Sequence, residues 1–422
     1  MTLRTKEGLR AYVDANQGNV AFLRFERGGL KQGPTSDWDI AVRDRSSGLE
    51  HCGKHFGAAW LRIPRRYVIQ HFYQWGQVDL LPVFEWNGVE YLDQKSFWDG
   101  VSVSEDGLPR PALGHDAFIA WMTGLLWGGS FDSRYTEFVT LGASEDEANF
   151  RGSLEKAFGK GLAGILYDYA VEGRAVDATQ LVGELRFTLM RRKAVSSPLK
   201  TFRGVARHWF CEIGFHWRTP YPWIGILGPD GSGKSSVIEG LTEKLKLSRV
   251  KMKPIHWLPQ LSRTAGASSA VVTDPHARPP KSGFLSLLQL GKVVLVWWVA
   301  LIRDLIHLRA KQSLVLSDRF YPDLLADPRR YRYGASVGFA KWAFKLIPRP
   351  DRVIVLHTDA ETILKRKQEV APAELERQLG AYQAIVEAWG EKAVLVDCGQ
   401  ELESVVEEAF ETLLGALAER SR

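Results

Sequence analysis

The sequence predicts an α/β protein of more than one domain, with a parallel sheet in its C-terminal half. Its 422 residues, of which 45% are hydrophobic and 25% charged, are enough for two or three folded domains. After Pro222, short apolar runs alternate with helical patterns. These runs are apolar on both faces, which is typical of parallel strands that helices cover on both sides.

The apolar runs are the predicted strands of this sheet, and helices are expected between them. The predicted strands are Trp223–Leu227, Val250–Trp257, Ser313–Ser317, Arg352–His357 and Ala393–Val396. Helices are expected over residues 234–245 and 401–420. Strands that alternate with helices form crossover units, and these give a parallel sheet with flanking helices.

The N-terminal part has a different pattern, in which short strands and helices are mixed. Its predicted strands are Val20–Phe25, Asp39–Val42 and Gln77–Phe84. The following stretch is mostly helical, basic and aromatic, until Pro220 and Pro222 interrupt the helical pattern. We therefore predict an α+β domain at residues 1–150, a helical linker at 151–219 and the parallel-sheet domain at 220–422.

Charge and cysteine content limit the class of protein. The net charge of +6 suits partners that carry phosphate, or an anionic membrane surface. Cys52, Cys211 and Cys398 are too few and too far apart for a disulfide framework, so we expect a cytoplasmic protein. The charged N-terminus predicts no signal peptide. His51 and His55 lie close to Cys52, but no second ligand cluster follows, so we expect no metal site there.

Two stretches could either pack inside the protein or contact a membrane. Residues 284–302 are almost long enough to span a bilayer, but Gln289 and Lys292 interrupt them, which favours a helix buried in the α/β core. Residues 186–218 interleave basic and aromatic side chains, which favours a linker helix that packs its aromatic side chains between domains. Peripheral binding at the inner face of a membrane is the alternative for both.

The most specific motif is a glycine-rich loop between a predicted strand and a predicted helix. It reads Gly228-Pro-Asp-Gly-Ser-Gly-Lys-Ser235 and matches the phosphate-binding pattern G-x-x-x-x-G-K-[ST]. Glycines let the backbone curl so that its N–H groups and the helix N-terminus face phosphate oxygens. Lys234 can reach the β- and γ-phosphates, and the Ser235 hydroxyl can hold Mg²⁺. The candidate ATP-binding residues are Gly228, Gly231, Ser232, Gly233, Lys234, Ser235 and Ser236.

A carboxylate is expected at the end of a neighbouring strand. Asp318 follows the predicted strand Ser313–Ser317, and ligands bind at the carboxyl edge of open parallel sheets. It is the second candidate Mg²⁺ ligand beside Ser235. The next residue, Arg319, can neutralise charge on a transferring phosphate.

Together these motifs resemble the thymidylate kinase group of P-loop kinases. The resemblance rests on Gly228–Ser236 and on Asp318-Arg319-Phe320, and it covers residues 220–420. It implies an ATP-dependent phosphotransferase with a five-stranded parallel sheet. It also implies that Asp230 approaches the acceptor hydroxyl, that Arg319 contacts phosphate, and that Lys365, Arg366 and Lys367 form a basic lid.

The region after Asp327 departs from that family. The polar stretch that reads thymine is replaced by Arg329, Arg330, Tyr331 and Arg332. Guanidinium groups bind anions in a forked geometry and stack on aromatic rings, so we expect a nucleotide or carbohydrate acceptor. In this respect the sequence resembles the thymidylate-kinase-like proteins found among bacterial surface-polysaccharide genes.

Carboxylates also cluster in the N-terminal domain. Asp37 and Asp39 are two positions apart, so on a strand both side chains point to the same face, and Asp79 lies in a second strand-like run. Three carboxylates can hold two Mg²⁺ ions that bind a triphosphate and activate a hydroxyl. With the glycine turn at Gly28-Gly29, the pattern resembles the polymerase-β-like nucleotidyltransferase superfamily over residues 10–100. Exposed strand acids and a non-catalytic copy of that fold are the alternatives.

We therefore expect an enzyme that binds ATP and Mg²⁺ and transfers the γ-phosphate, with a metal-dependent nucleotidyltransferase-like N-terminal domain. Its candidate catalytic residues are Asp230, Lys234, Asp318, Arg319 and Arg366. The alternatives are that nucleotidyl transfer is the main reaction, or that the chain senses nucleotide and docks on a membrane or partner. We expect no sequence-specific nucleic-acid binding. A homodimer and a monomer are both compatible with the sequence.

Overall fold

The computed structural model describes residues 3–23, 37–56, 59, 61–73, 76–217, 220–246, 251–256, 279–301, 306, 313–367 and 371–421. The chain divides into two compact units, Met1–Phe215 and His216–Arg422. A five-stranded sheet lies in each unit.

The sheet of the first unit is mixed. Its strands are β1 (Val20–Leu23), β2 (Asp37–Val42), β3 (Leu61–Pro64), β4 (Ile69–Tyr73) and β5 (Gly76–Leu81), in the order β1-β2-β5-β4-β3. The β2 and β5 strands pair in parallel, and the other neighbours are antiparallel. Two hairpins follow, of β6 (Glu85–Trp86) with β7 (Val89–Glu90) and of β8 (Ser102–Val103) with β9 (Pro109–Arg110).

The described residues of the first unit form nine α-helices, and members of this set cover both faces of the sheet. They are α1 (Leu3–Ala15), α2 (Arg45–Phe56), α3 (Gln94–Asp99), α4 (Leu113–Thr123), α5 (Thr136–Glu145), α6 (Glu147–Phe158), α7 (Lys160–Val171), α8 (Val182–Ser196) and α9 (Pro198–Trp217). Successive strand residues point to opposite faces. Phe22 and Ile40 accordingly pack with Tyr12 of α1, whereas Leu23 and Ala41 pack into a larger core with the later helices.

The segment predicted as a helical linker, residues 151–219, is helical through Trp217. Leu154, Leu166 and Leu185 of this segment lie in the same hydrophobic core as Leu23 of the sheet. Most of the segment therefore packs as part of the first unit.

Three aromatic side chains of α9 are exposed, although the sequence predicted packed aromatic side chains in this helix. Phe202, Trp209 and Phe210 are 73%, 55% and 80% exposed. The packed side of α9 is formed by small and polar residues instead. At Gly204 a Cβ atom would lie 2.2 Å from the carbonyl oxygen of Gly88, so only glycine allows this close backbone contact.

The sheet of the second unit is entirely parallel, which confirms the predicted fold class of this half. Its strands are β10 (Trp223–Leu227), β11 (Lys251–His256), β12 (Ser313–Asp318), β13 (Arg352–His357) and β14 (Ala393–Asp397), in the order β11-β12-β10-β13-β14. The flanking helices are α10 (Lys234–Lys246), α11 (Gly283–Ala300), α12 (Pro322–Ala326), α13 (Val337–Phe344), α14 (Ala360–Arg366), α15 (Pro372–Trp389) and α16 (Leu402–Ser421).

The apolar stretch predicted to be a buried core helix forms α11, and the prediction is correct for only one side of it. Leu290, Val293 and Trp297 pack into the core, at the spacing of one helix face. Phe284 and Leu295, on another side, are 71% and 64% exposed. Within the described residues, α11 is the one helix long and apolar enough to cross a membrane, and 33% of it is buried.

Candidate active site

The loop between β10 and α10 has the backbone geometry expected of a phosphate-binding loop. Gly228, Gly231 and Gly233 have φ angles of 146°, 88° and 85°, a region that side chains disfavour. A Cβ atom at Gly228 would also lie 2.8 Å from the carbonyl oxygen of Leu356 in β13. The loop can therefore curl tightly only because glycine stands at these positions.

Serine hydroxyls line the loop and the first turn of α10. Ser232 is 1% exposed, and its hydroxyl has no hydrogen-bond partner among the described residues. A buried hydroxyl of this kind is expected to find a polar partner, and a phosphate oxygen would supply one. Ser235 and Ser236 are exposed at the N-terminal turn of α10, where the helix dipole favours an anion.

Lys234 is the first residue of α10, and its ammonium group points back into the loop. Its Nζ donates hydrogen bonds to the carbonyl oxygens of Gly228 at 2.8 Å and Pro229 at 2.7 Å. The side chain is 7% exposed. Burial, and then the nearby positive charge of Arg319, lower the pKa of Lys234 to about 8. The loop therefore holds a cation that an anionic ligand would stabilise.

Asp230 of the loop joins two arginines that come from distant parts of the sequence. Arg319 and Arg330 both donate hydrogen bonds to its carboxylate. Arg319 has a φ of 73°, and its backbone N–H donates to the Ile226 carbonyl oxygen at 3.0 Å, which fixes the end of β12 beside β10. The predicted residues Asp230, Lys234, Arg319 and Arg330 thus form one cluster.

A buried acid that the sequence analysis missed lies beneath this cluster. Asp323 is 1% exposed and accepts hydrogen bonds from the Phe320 N–H at 3.0 Å and from the Tyr382 hydroxyl. Burial raises the pKa of Asp323, while Arg319 and the Tyr382 hydrogen bond act in the opposite direction. The Tyr382 hydroxyl also lies 3.2 Å from the Gly228 carbonyl oxygen, so it links this acid to the loop.

Asp318 lies at the carboxyl edge of the sheet, as predicted. It is the last residue of β12 and pairs in register with Ile226 of β10, just before the loop. The described residues contain no group of three or more histidine, cysteine or acidic side chains that could hold a metal. Mg²⁺ in phosphate-transfer sites needs only one or two protein oxygens beside phosphates and water, so Ser235 and Asp318 fit that chemistry.

Only part of the predicted acceptor segment belongs to the cluster. Arg330 donates a hydrogen bond to Asp230. Burial raises the pKa of the Tyr331 hydroxyl, and the nearby positive charge of Arg319 acts to lower it. Arg332 instead donates to the Pro279 carbonyl oxygen at 3.1 Å. Arg329 is exposed and lies near Glu374.

The predicted basic lid runs beside the loop, but its arginine points elsewhere. A Cβ atom at Gly231 would lie 3.1 Å from the Cβ of Lys367, so the backbones are close. Arg366 donates to the Cys398 carbonyl oxygen at 2.9 Å, and Lys365 pairs with Glu361 at 2.7 Å. A contact between Arg366 and a bound phosphate would require the arginine to leave Cys398.

The N-terminal carboxylates come from neighbouring strands. Asp39 of β2 is in register with Asp79 of the parallel strand β5, so both side chains lie on the same face of the sheet. Gln77 and Gln70 donate to the Asp79 carboxylate at 2.7 Å and 3.2 Å. Asp37 is in register with Gln77, but its side chain lies outside the described part of the chain, and so do Gly28 and Gly29.

Comparison with known proteins assigns no family. A scan against protein-family models found no match, and a search of curated proteins found no sequence of significant similarity.

Proposed function

We propose that the C-terminal unit transfers the γ-phosphate of ATP to a hydroxyl or phosphate group of a nucleotide or carbohydrate acceptor. The observation that carries this proposal is the position of Lys234. It is buried at the start of α10, directly after a loop with three positive-φ glycines, and two arginines converge on the same loop. Backbone N–H groups, a lysine and arginines are what a triphosphate chain requires.

Each charged residue of the cluster has a role in this proposal. Lys234 would contact the β- and γ-phosphates, and Arg319 and Arg330 would offset charge in the loose transition state. Asp230 would hold the two arginines in place and orient the acceptor hydroxyl. Ser235 and Asp318 would hold Mg²⁺ directly or through water, and the ion would neutralise phosphate charge when bound.

A transfer assay with γ-³²P-labelled ATP tests the reaction. Nucleotides, sugar phosphates and lipid-linked glycans are the acceptor classes to compare, because Arg330 and Tyr331 suit an anionic or ring-bearing acceptor. Transfer to one class supports the proposal and identifies the acceptor. If calorimetry detects no binding of Mg·ATP, the proposal is wrong.

The affinity for ATP should depend on pH in a way set by Lys234. Its pKa of about 8 means that the lysine loses its proton above this pH, whereas bound phosphates would keep it protonated. Affinity is therefore expected to be constant below pH 8 and to fall by up to about tenfold per pH unit above it. Calorimetry across this range measures the effect. In Lys234→Arg the guanidinium does not titrate, so an equal fall in that variant would refute the assignment.

Nucleotidyl transfer by the N-terminal unit is a second candidate function, favoured by the register of Asp39 with Asp79. Two carboxylates on one sheet face could hold Mg²⁺ against a nucleoside triphosphate. Asp39→Asn is expected to lower pyrophosphate release by about 10²-fold or more, since it removes a charged metal ligand. The control is Asp14→Asn, which changes an exposed acid of α1. Equal pyrophosphate release from both variants would exclude this function.

A further inference from the structure

Two helices of the C-terminal unit expose large apolar side chains next to each other. The indole Nε1 of Trp298 in α11 donates to the carbonyl oxygen of Leu346, just after α13, at 2.7 Å, so the two sets of side chains are continuous. Their exposed fractions run from 43% to 71%. We call this surface the apolar face, and it consists of Phe284, Leu288, Leu295, Trp298, Phe339, Trp342 and Leu346.

The charged side chains in the two stretches that form the apolar face are all basic. Lys292, Lys341 and Lys345 are exposed on the same two helices or directly after them. Residues 279–300 and 336–349, which include both helices, contain no aspartate or glutamate. A large apolar patch edged by cations is unusual on a protein surface that faces only water.

We propose that the apolar face binds the surface of an anionic lipid bilayer, with α11 and α13 lying along the interface. Helices that bind there combine leucine, phenylalanine and tryptophan with lysine, as this face does. Tryptophan prefers the headgroup region, where its ring is apolar and its N–H can be hydrogen-bonded. The lysines are attracted to the negative surface potential of the lipid.

A transmembrane arrangement of α11 does not fit its packing. Leu290, Val293 and Trp297 belong to the core of the unit, so insertion across a bilayer would remove them from that core. Lys292 lies in the middle of the helix, where a charge opposes insertion. The exposed stripe can enter the interface while the buried stripe stays in place.

A second copy of the chain fits the apolar face less well than lipid does. Two copies of this face would bring lysines together with no acid in either stretch to pair with them. Like charges brought together at an interface weaken association. Charge complementarity therefore favours anionic lipid.

The apolar face is connected to the predicted acceptor segment. Gln289 of α11 donates to the Tyr331 carbonyl oxygen at 3.0 Å, and the Gly334 N–H donates to the Ser286 hydroxyl at 2.9 Å. If the proposed kinase function is correct, membrane binding would hold this acceptor segment close to lipid headgroups. The membrane contact itself does not depend on that function.

Flotation of the full chain with vesicles tests the proposal. We expect binding to vesicles of phosphatidylcholine with phosphatidylglycerol, and at least about tenfold weaker binding to phosphatidylcholine alone. Leu295→Glu combined with Trp342→Glu should lower binding to the anionic vesicles by at least about tenfold. The control is Leu402→Glu, which adds one glutamate, against two in the test variant, at a leucine of the same unit that is 53% exposed, and it should bind as the wild type does.

A second double variant separates the contribution of charge from that of apolar contact. Its result does not depend on whether the first double variant folds. Lys292→Ala with Lys341→Ala should weaken binding to anionic vesicles by roughly fivefold for each lysine and leave binding to neutral vesicles unchanged. The proposal would be overturned if both double variants float with anionic vesicles as the wild type does. It would also be overturned if the wild type fails to float but forms a dimer that Leu295→Glu with Trp342→Glu dissociates. Calorimetry with Mg·ATP on the same samples shows separately whether the kinase proposal holds.

Discussion

Replacing Lys234 with methionine is expected to lower kcat/KM for phosphate transfer from ATP by about 10²–10³-fold, because it removes a preorganised cation from the transferring phosphate. Methionine is similar in length to the lysine stem, so the loop can keep its packing. The chain should stay folded, since the hydrogen bonds of Lys234 go to two loop carbonyls rather than across the unit.

The same variant should lose a pH dependence of stability that the wild type has. The folded-state pKa of Lys234, about 8, is below the ordinary value of 10.5, so between these values the unfolded chain binds more protons than the folded chain. The contribution of Lys234 therefore makes the free energy of unfolding rise with pH across that window. Lys234→Met lacks this rise, which denaturation at about pH 7 and about pH 10 can detect.

Lys244→Met is the control for both measurements. Lys244 lies on the same helix, but it pairs with Glu407 near the surface. Lys244→Met should transfer phosphate at the wild-type rate, and its free energy of unfolding should depend on pH as that of the wild type does. Full turnover in Lys234→Met would contradict the proposed role of the loop.

The sequence was sufficient for those parts of the site that depend on local chemistry. Glycine spacing predicted the curled loop, because positive φ angles are accessible to Gly228, Gly231 and Gly233 at little steric cost. Apolar runs that alternate with helical patterns predicted the parallel sheet. They also predicted that Asp318 lies at the carboxyl edge of this sheet, beside the loop. The loop conformation needs only the residues of the loop, and the place of Asp318 follows from the rule that ligands bind at the carboxyl edge of a parallel sheet.

Features that depend on distant contacts could not be read from the sequence. Asp323 follows Asp318 by five positions and could have been selected as a second acid, but its burial depends on packing against α15. Tyr382 is 59 positions further along the chain, and no local pattern distinguishes it from other residues of a helix core. Trp209 and Trp298 were expected to be buried, yet both are about half exposed, because apolar composition alone does not show which helix face finds a partner.

Asp323→Ala is expected to lower the free energy of unfolding by about 3–5 kcal/mol, the range for breaking one side of a buried ionic cluster. The change removes the acceptor of two buried hydrogen bonds and the carboxylate that acts on Arg319 and Lys234. Chemical denaturation measures the loss. Tyr382→Phe, which removes one of these hydrogen bonds and keeps the charge, should lose only about 1.5–3 kcal/mol.

Asp323→Asn removes the charge and keeps the shape of the side chain: the amide oxygen can still accept from the Phe320 N–H, and the amide NH2 group can donate to the Tyr382 hydroxyl oxygen. Asp323 is one of the acids that raise the pKa of Lys234, against burial and Arg319, which lower it. Without this carboxylate, the pH at which ATP affinity begins to fall should move below 8. Tyr382→Phe keeps the carboxylate and should not lower that pH. If Asp323→Asn and the wild type lose ATP affinity at the same pH, Asp323 does not tune the lysine and its role is confined to stability.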